Sequence, residues 1–155
     1  MRRAGWQSQL RQSQLGSHRR KTDLLPLPQP ITDVLSLEYH LMLEMLRVGA
    51  GTLHSIKVLM RIAVAAELLA KDGYGKMSAE QFAGLYEAAS QTLDKENVGR
   101  VCAFDHQTFD LFASLVTMHD IQLQSAPTYV IEKVGNALDK MTGGHDHKPE
   151  GRPRP

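Results

Sequence analysis

A chain of 155 residues, 42% hydrophobic and 23% charged, has the size and make-up of one globular domain. Its single cysteine, Cys102, excludes an internal disulfide and a cysteine-rich zinc site, and fits a reducing compartment such as the cytoplasm. The longest apolar run, residues 58–70, is broken by Arg61 and Glu67 and falls short of the roughly 20 residues of a membrane helix; the N-terminus lacks the apolar core of a secretory signal.

The net charge of +1 hides a split. Residues 1–30 hold six Lys/Arg and one Asp, a net of +5. Residues 31–142 hold nine Lys/Arg against fourteen Asp/Glu, a net of −5, and the last thirteen residues return to +1.

In chain order, the first unit is a basic arm, residues 1–22, rich in Arg, Gln and Ser. Gln-Ser-Gln-Leu occurs twice, and Leu10 and Leu15 sit five apart, a spacing that suits neither a helix face nor a strand face. With so little apolar surface to bury, the arm is expected to be disordered when free. Pro26, Pro28 and Pro30 then alternate in a Pro-rich linker, residues 23–32. Proline at that density predicts an extended spacer of about 3 Å per residue, holding the arm away from the body.

From there the period is helical, and residues 33–142 read as a single all-α bundle of about five helices. Helix one is predicted over residues 36–48, with Leu37, Leu41, Met45 and Val48 on one face and Leu35, Met42 and Leu46 beside it. The Gly49-Ala50-Gly51 turn ends it. Helix two, residues 53–71, is apolar around most of its girth, with only His54, Lys57 and Arg61 as a polar stripe, which marks a central helix. Helix three follows Ser78, whose spacing to Gln81 is that of a capping box, and carries Phe82, Leu85, Tyr86, Ala89 and Leu93 on its apolar stripe. Helix four, residues 106–124, is capped by Asp105 and turns Phe109, Phe112, Leu115, Val116 and Leu123 inward. Helix five begins near Pro127 with Ser125 as a candidate cap, buries Val130, Val134, Ala137, Leu138 and Met141, and closes at Gly143-Gly144. Residues 143–155 are expected to be a disordered tail.

The turn between helices two and three, AKDGYGKMSAEQF, has the outline of a calcium-binding helix–loop–helix. Such a loop takes oxygen ligands at positions 1, 3, 5, 7, 9 and 12, with glycine at 6. With Gly75 at position 6, Asp72 falls at 3 and Ser78 at 9, but position 1 is Ala70, position 5 is Tyr74 and position 12 is the neutral Gln81. One carboxylate does not offset the dehydration of a divalent ion, so the string reads as a helix end, a turn and a capping box.

His40 with Glu44, and His106 with Asp110, are one helical turn apart, a spacing that serves surface ion pairs more often than metals. His54 and His119 are outlying metal candidates, and His145-Asp146-His147 is a weak pair of ligands on the tail. Glu-x-x-His and His-Glu-x-x-His are both absent. Cys102, between apolar neighbours, reads as an inert buried thiol. With no phosphate loop and no nucleophile elbow, the chain is expected to be no enzyme and to need no cofactor.

The arm carries the remaining chemistry. Arg2, Arg3, Arg11, Arg19, Arg20 and Lys21 can track a phosphate backbone with release of counterions, and Trp6 can stack on a base. An inert solvated tail and an organelle presequence are the competing readings of the same composition. On the body, the stripe with Lys57 and Arg61 is the one cationic face available to nucleic acid.

The run LSLEYHLMLEMLRVGAGTLHSIKVLMRIAVAAELLAKDGYG, followed by MHDIQLQSAP before the last helix, is similar to small helical proteobacterial proteins catalogued as Fis-family transcriptional regulators. The likeness rests on Tyr39, the Gly49–Gly51 turn, His54, the Gly73-Tyr74-Gly75 turn, Gln122 and Pro127. It implies a bacterial regulatory protein and no particular functional residue. Fis proteins end in a helix-turn-helix with a strongly basic last helix, whereas here Lys133 and Lys140 are balanced by Glu132 and Asp139. The reading is a non-enzymatic cytoplasmic regulatory or accessory protein whose arm contacts nucleic acid and whose body binds a protein, itself included. The alternatives are a pure protein-interaction module with an inert tail, and a small metal- or ligand-binding bundle.

Overall fold

The computed structural model describes residues 21–97 and 102–143. They form five long helices, after a helical turn at residues 21–23, with no strand among the described residues. The helices are α1 (Gln29–Arg47), α2 (Leu53–Lys71), α3 (Ala79–Asn97), α4 (His106–Ser125) and α5 (Thr128–Thr142). The fold is an all-α bundle.

Local chemistry accounts for most of the boundaries. Thr52 caps α2 reciprocally with Ser55, Ser78 and Gln81 exchange backbone and side-chain bonds at the start of α3, and the Asp105 carboxylate accepts from the Thr108 amide at 2.7 Å. These contacts satisfy amides that a helix start leaves without partners. Gly49, at φ +78°, takes the left-handed turn that ends α1 cheaply.

Three expectations from the sequence change. First, α1 begins at Gln29, not at residue 36, because Pro30 sits in the first turn, where its missing N–H costs nothing. Of the expected linker, residues 29–32 are therefore helical. The rest is fastened down: the Leu25 carbonyl accepts from the Thr128 amide at 2.8 Å and from its hydroxyl at 2.7 Å, and Leu27 packs on the core. Second, Ser125 does not cap α5. Its hydroxyl donates back to the Ile121 carbonyl at 2.7 Å, and Pro127 stands at the cap position with no side-chain bond. Third, Met141 is 64% exposed and Ala137 half-buried, so the last helix buries only Val130, Val134 and Leu138 of its expected face.

As the apolar girth of α2 predicts, this helix packs on all four others. The larger core cluster joins α1 to α4 through Tyr39, Leu46, Ile56, Leu59, Leu85 and Phe112, with Phe104 stacked on Phe112 at 4.9 Å between centroids. A smaller cluster of Ala65, Leu69, Val130, Val134 and Leu138 attaches α5 to α2. Cys102 is buried, and burial, helped by Glu96, pushes its thiol up. No helix of the described residues is long and apolar enough to cross a membrane.

Candidate interaction face and the polar network behind it

α1 is apolar on two opposite sides. Its inner side buries Tyr39, Leu43 and Leu46. Its outer side leaves Val34, Leu37, Leu41 and Val48 between 51% and 68% exposed. Those four positions, three, four and seven residues apart, fall on one stripe with the spacing of a coiled-coil seam. Of the face singled out by the sequence pattern, Leu37, Leu41 and Val48 are thus turned to solvent and Met45 is half-buried. Asp33 and Glu38 flank the stripe, and Glu44 is held by Arg47 through a two-pronged contact whose Nε–Oε2 arm is 2.8 Å.

A carboxylate on α4 fixes this orientation. Asp120 accepts from Ser36 Oγ at 2.7 Å, from the Tyr39 hydroxyl, and from His40 Nε2 at 2.8 Å. The three donors lie within about one turn of α1, at i, i+3 and i+4, so rotating the helix to bury the other stripe would strand all of them. Burial works to raise the Asp120 carboxyl, but the bonds from Tyr39, His40 and Ser36 outweigh it and hold the group below its ordinary range. Burial, and next the bond to Asp120, drives the Tyr39 phenol well above its ordinary value. His40 is therefore spent on Asp120 rather than on Glu44, as its spacing had suggested.

Two residues further along α4, Gln122 ties the bundle to the turn after α2. Its amide nitrogen donates to the Ala66 carbonyl at 3.0 Å and to the Tyr74 carbonyl at 2.8 Å. Its oxygen meets His119 Nδ1 at 2.9 Å. Gly75, at φ +83°, passes so close that a Cβ there would stand 2.8 Å from Gln122 Nε2. This close approach makes the Gly73-Tyr74-Gly75 turn compact. Asp72, the one carboxylate of the calcium-like string, faces Lys133 at 3.5 Å, and Gln81 is used in the α3 cap. Beside the turn lies a groove of about 480 Å³ edged by Glu67, Lys71 and Lys76, where Glu67 already accepts from Tyr86 at 2.6 Å and pairs with Lys71 at 3.4 Å. No group of three or more His, Cys, Asp or Glu is placed to share a metal among the described residues.

A second opening, a cleft of about 200 Å³, lies between α1 and α5 over a floor of α2 and α4. Its walls are mostly aliphatic, from Leu35, Ile62, Leu123, Val134 and Leu138 among others, with Glu38, Arg61, Tyr39 and His119 as polar members. Arg61 Nη2 donates to Asp139 at 2.7 Å.

Of the residues expected to touch nucleic acid, Arg2, Arg3, Trp6, Arg11, Arg19 and Arg20 lie outside the described residues. Lys21 and Lys57 are exposed, and Arg61 is engaged by Asp139 across to α5. His54 is exposed; His106 pairs loosely with Asp110 at 3.6 Å on the surface; His145, Asp146 and His147 lie outside the described residues. The residues that sequence reasoning passed over are Ser36 and Asp120. Their partners are 80 or more positions away, and no local pattern marks them. No protein-family model matches the chain, and no curated protein or solved structure does either.

Proposed function

We propose that the chain is a non-enzymatic regulatory or accessory protein of the bacterial cytoplasm. In this reading the outer face of α1 binds protein and the basic N-terminal arm contacts nucleic acid. The observation that carries the first half is the row of Val34, Leu37, Leu41 and Val48, four large apolar side chains in solvent on one helix. A monomer gains nothing from exposing such a row, whereas a partner helix would bury it.

The partner proposed is a second copy of the chain. Laid antiparallel on its own copy, the stripe meets itself. The contribution of the arm rests on charge alone: six cations with no acid before Asp23, against a body whose negative balance repels phosphate. Arg61 is already neutralised by Asp139, which leaves the arm as the principal contact.

Sedimentation of the full chain against its L37E/L41E variant tests the face. A wild-type dimer that becomes a monomer with unchanged helicity is the expected result, and a wild type that stays monomeric at high concentration defeats this half. For the arm, Arg2, Arg3, Arg11, Arg19 and Arg20 are replaced together by Gln, and retention on single- and double-stranded nucleic acid is measured at low salt. Loss of retention is expected, with a shallower salt dependence; unchanged retention leaves the interaction module with an inert arm.

A further inference from the structure

The hydrogen-bond pattern around His119 fixes its proton. Gln122 Nε2 lies between two backbone carbonyls, Ala66 and Tyr74, and carbonyls only accept, so the amide nitrogen must be the atom there. Its oxygen is then the atom facing His119 Nδ1 at 2.9 Å. An amide oxygen cannot donate, so Nδ1 carries the proton. Burial pushes the imidazole below its ordinary value, against smaller opposing contributions from Gln122 and Asp120, and the ring is neutral. Nε2 is therefore a bare acceptor.

Among the described residues that acceptor has no partner. The one bond found for the ring there is at Nδ1, and no fully enclosed side-chain nitrogen or oxygen among the described residues lacks a partner. Nε2 must reach open space, and the open space that His119 lines is the cleft between α1 and α5. His119 is 4% exposed, so this lone pair sits deep in a mostly aliphatic recess whose other polar members are Glu38, Arg61 and Tyr39.

We propose that the cleft between α1 and α5 binds a small, neutral, largely apolar molecule carrying one hydroxyl or N–H, which donates to His119 Nε2. The volume, about 200 Å³, suits a bicyclic aromatic or a short branched alcohol. A carboxylate is disfavoured twice, because it presents acceptors to an acceptor and because Glu38 stands on the wall. Arg61 does not compensate, being held by Asp139 at 2.7 Å. An apolar body without a donor would leave Nε2 desolvated and unbonded, so the site discriminates by hydrogen-bond sense more than by shape. Gly135 forms part of the cleft wall on α5, and a Cβ there would meet nothing within 4 Å. A side chain added there starts in open space on the cleft wall.

The test is a titration of the full chain with 2-naphthol and with 2-methoxynaphthalene, two probes of the same apolar body that differ in the donor. Tenfold or more tighter binding of 2-naphthol is expected, with the His119 Nε2 nitrogen resonance moving on addition and Nδ1 retaining its proton. The G135L variant should lose the binding while keeping wild-type helicity, and H119F should bind both probes equally. Equal affinity of wild type for the two probes, a Nε2-protonated ring in the free protein, or undiminished 2-naphthol binding in G135L would each overturn the proposal.

Discussion

The two sides of α1 are alike in composition and opposite in fate. One is filled by Tyr39, Leu43 and Leu46, each under 5% exposed; the other by Val34, Leu37, Leu41 and Val48, each more than half exposed. Hydrophobicity does not separate them. The difference is that the inner side also brings Ser36, Tyr39 and His40 to one carboxylate, and three donors on one acceptor are lost together if the helix turns. A few polar contacts choose between two apolar solutions of similar worth, which is how a buried polar group confers specificity.

The largest effect should come from the inner side. Leu46 is fully buried and its carbonyl receives the Phe104 amide at 2.9 Å. Leu46→Ala should cost about 2–5 kcal/mol in denaturant unfolding, and a cost below 1 kcal/mol would mean the inner side is not the packed one. Next comes the network that pins α4. Gln122→Ala removes the partner of His119 Nδ1 and of the Tyr74 carbonyl, and should cost about 1–3 kcal/mol in all. Amide exchange should speed up around residues 73–77 before it does elsewhere.

A gradual effect comes from pH. His119 has a folded value below its ordinary 6.5, so the unfolded chain binds the proton first and stability falls as pH drops below about 6.5. Asp120, held below its ordinary 3.8, adds a second loss as pH falls below that value. Tyr39, whose folded value is raised above the ordinary 10.0, makes stability fall as pH rises past about 10. Thermal melts across this range should show both flanks, and His119→Phe should soften the decline that begins near pH 6.5. The smallest effect belongs to the outer side. Leu41→Ser should change the stability of the monomer by no more than about 0.5 kcal/mol while weakening self-association. A Leu41→Ser cost as large as that of Leu46→Ala would erase the distinction between the two sides.

Much of the bundle can be read locally. Asp105, the Ser78–Gln81 box and the glycines after α1 act within one turn of the helix ends they define, so their chemistry is visible in a short window. The girth of α2 identifies it as the central helix for the same reason. The start of α1 is harder, because prolines that look like a spacer are also acceptable in a first helical turn. The tether of Leu25 to Thr128 spans 103 positions, and nothing near either residue announces it.

By itself, then, the sequence determines that this protein is helical, roughly where each helix ends, that a basic arm precedes an acidic body, and that the calcium-like turn lacks the carboxylates it would need. Only the tertiary structure decides which side of α1 faces inward, where Asp120 finds its donors and which nitrogen of His119 is left open to the cleft. The physical reason is range. Caps and periodicity are set by atoms a few residues apart, whereas an apolar stripe can be buried by any complementary surface, and the choice among surfaces rests with polar partners that meet only once the chain has folded.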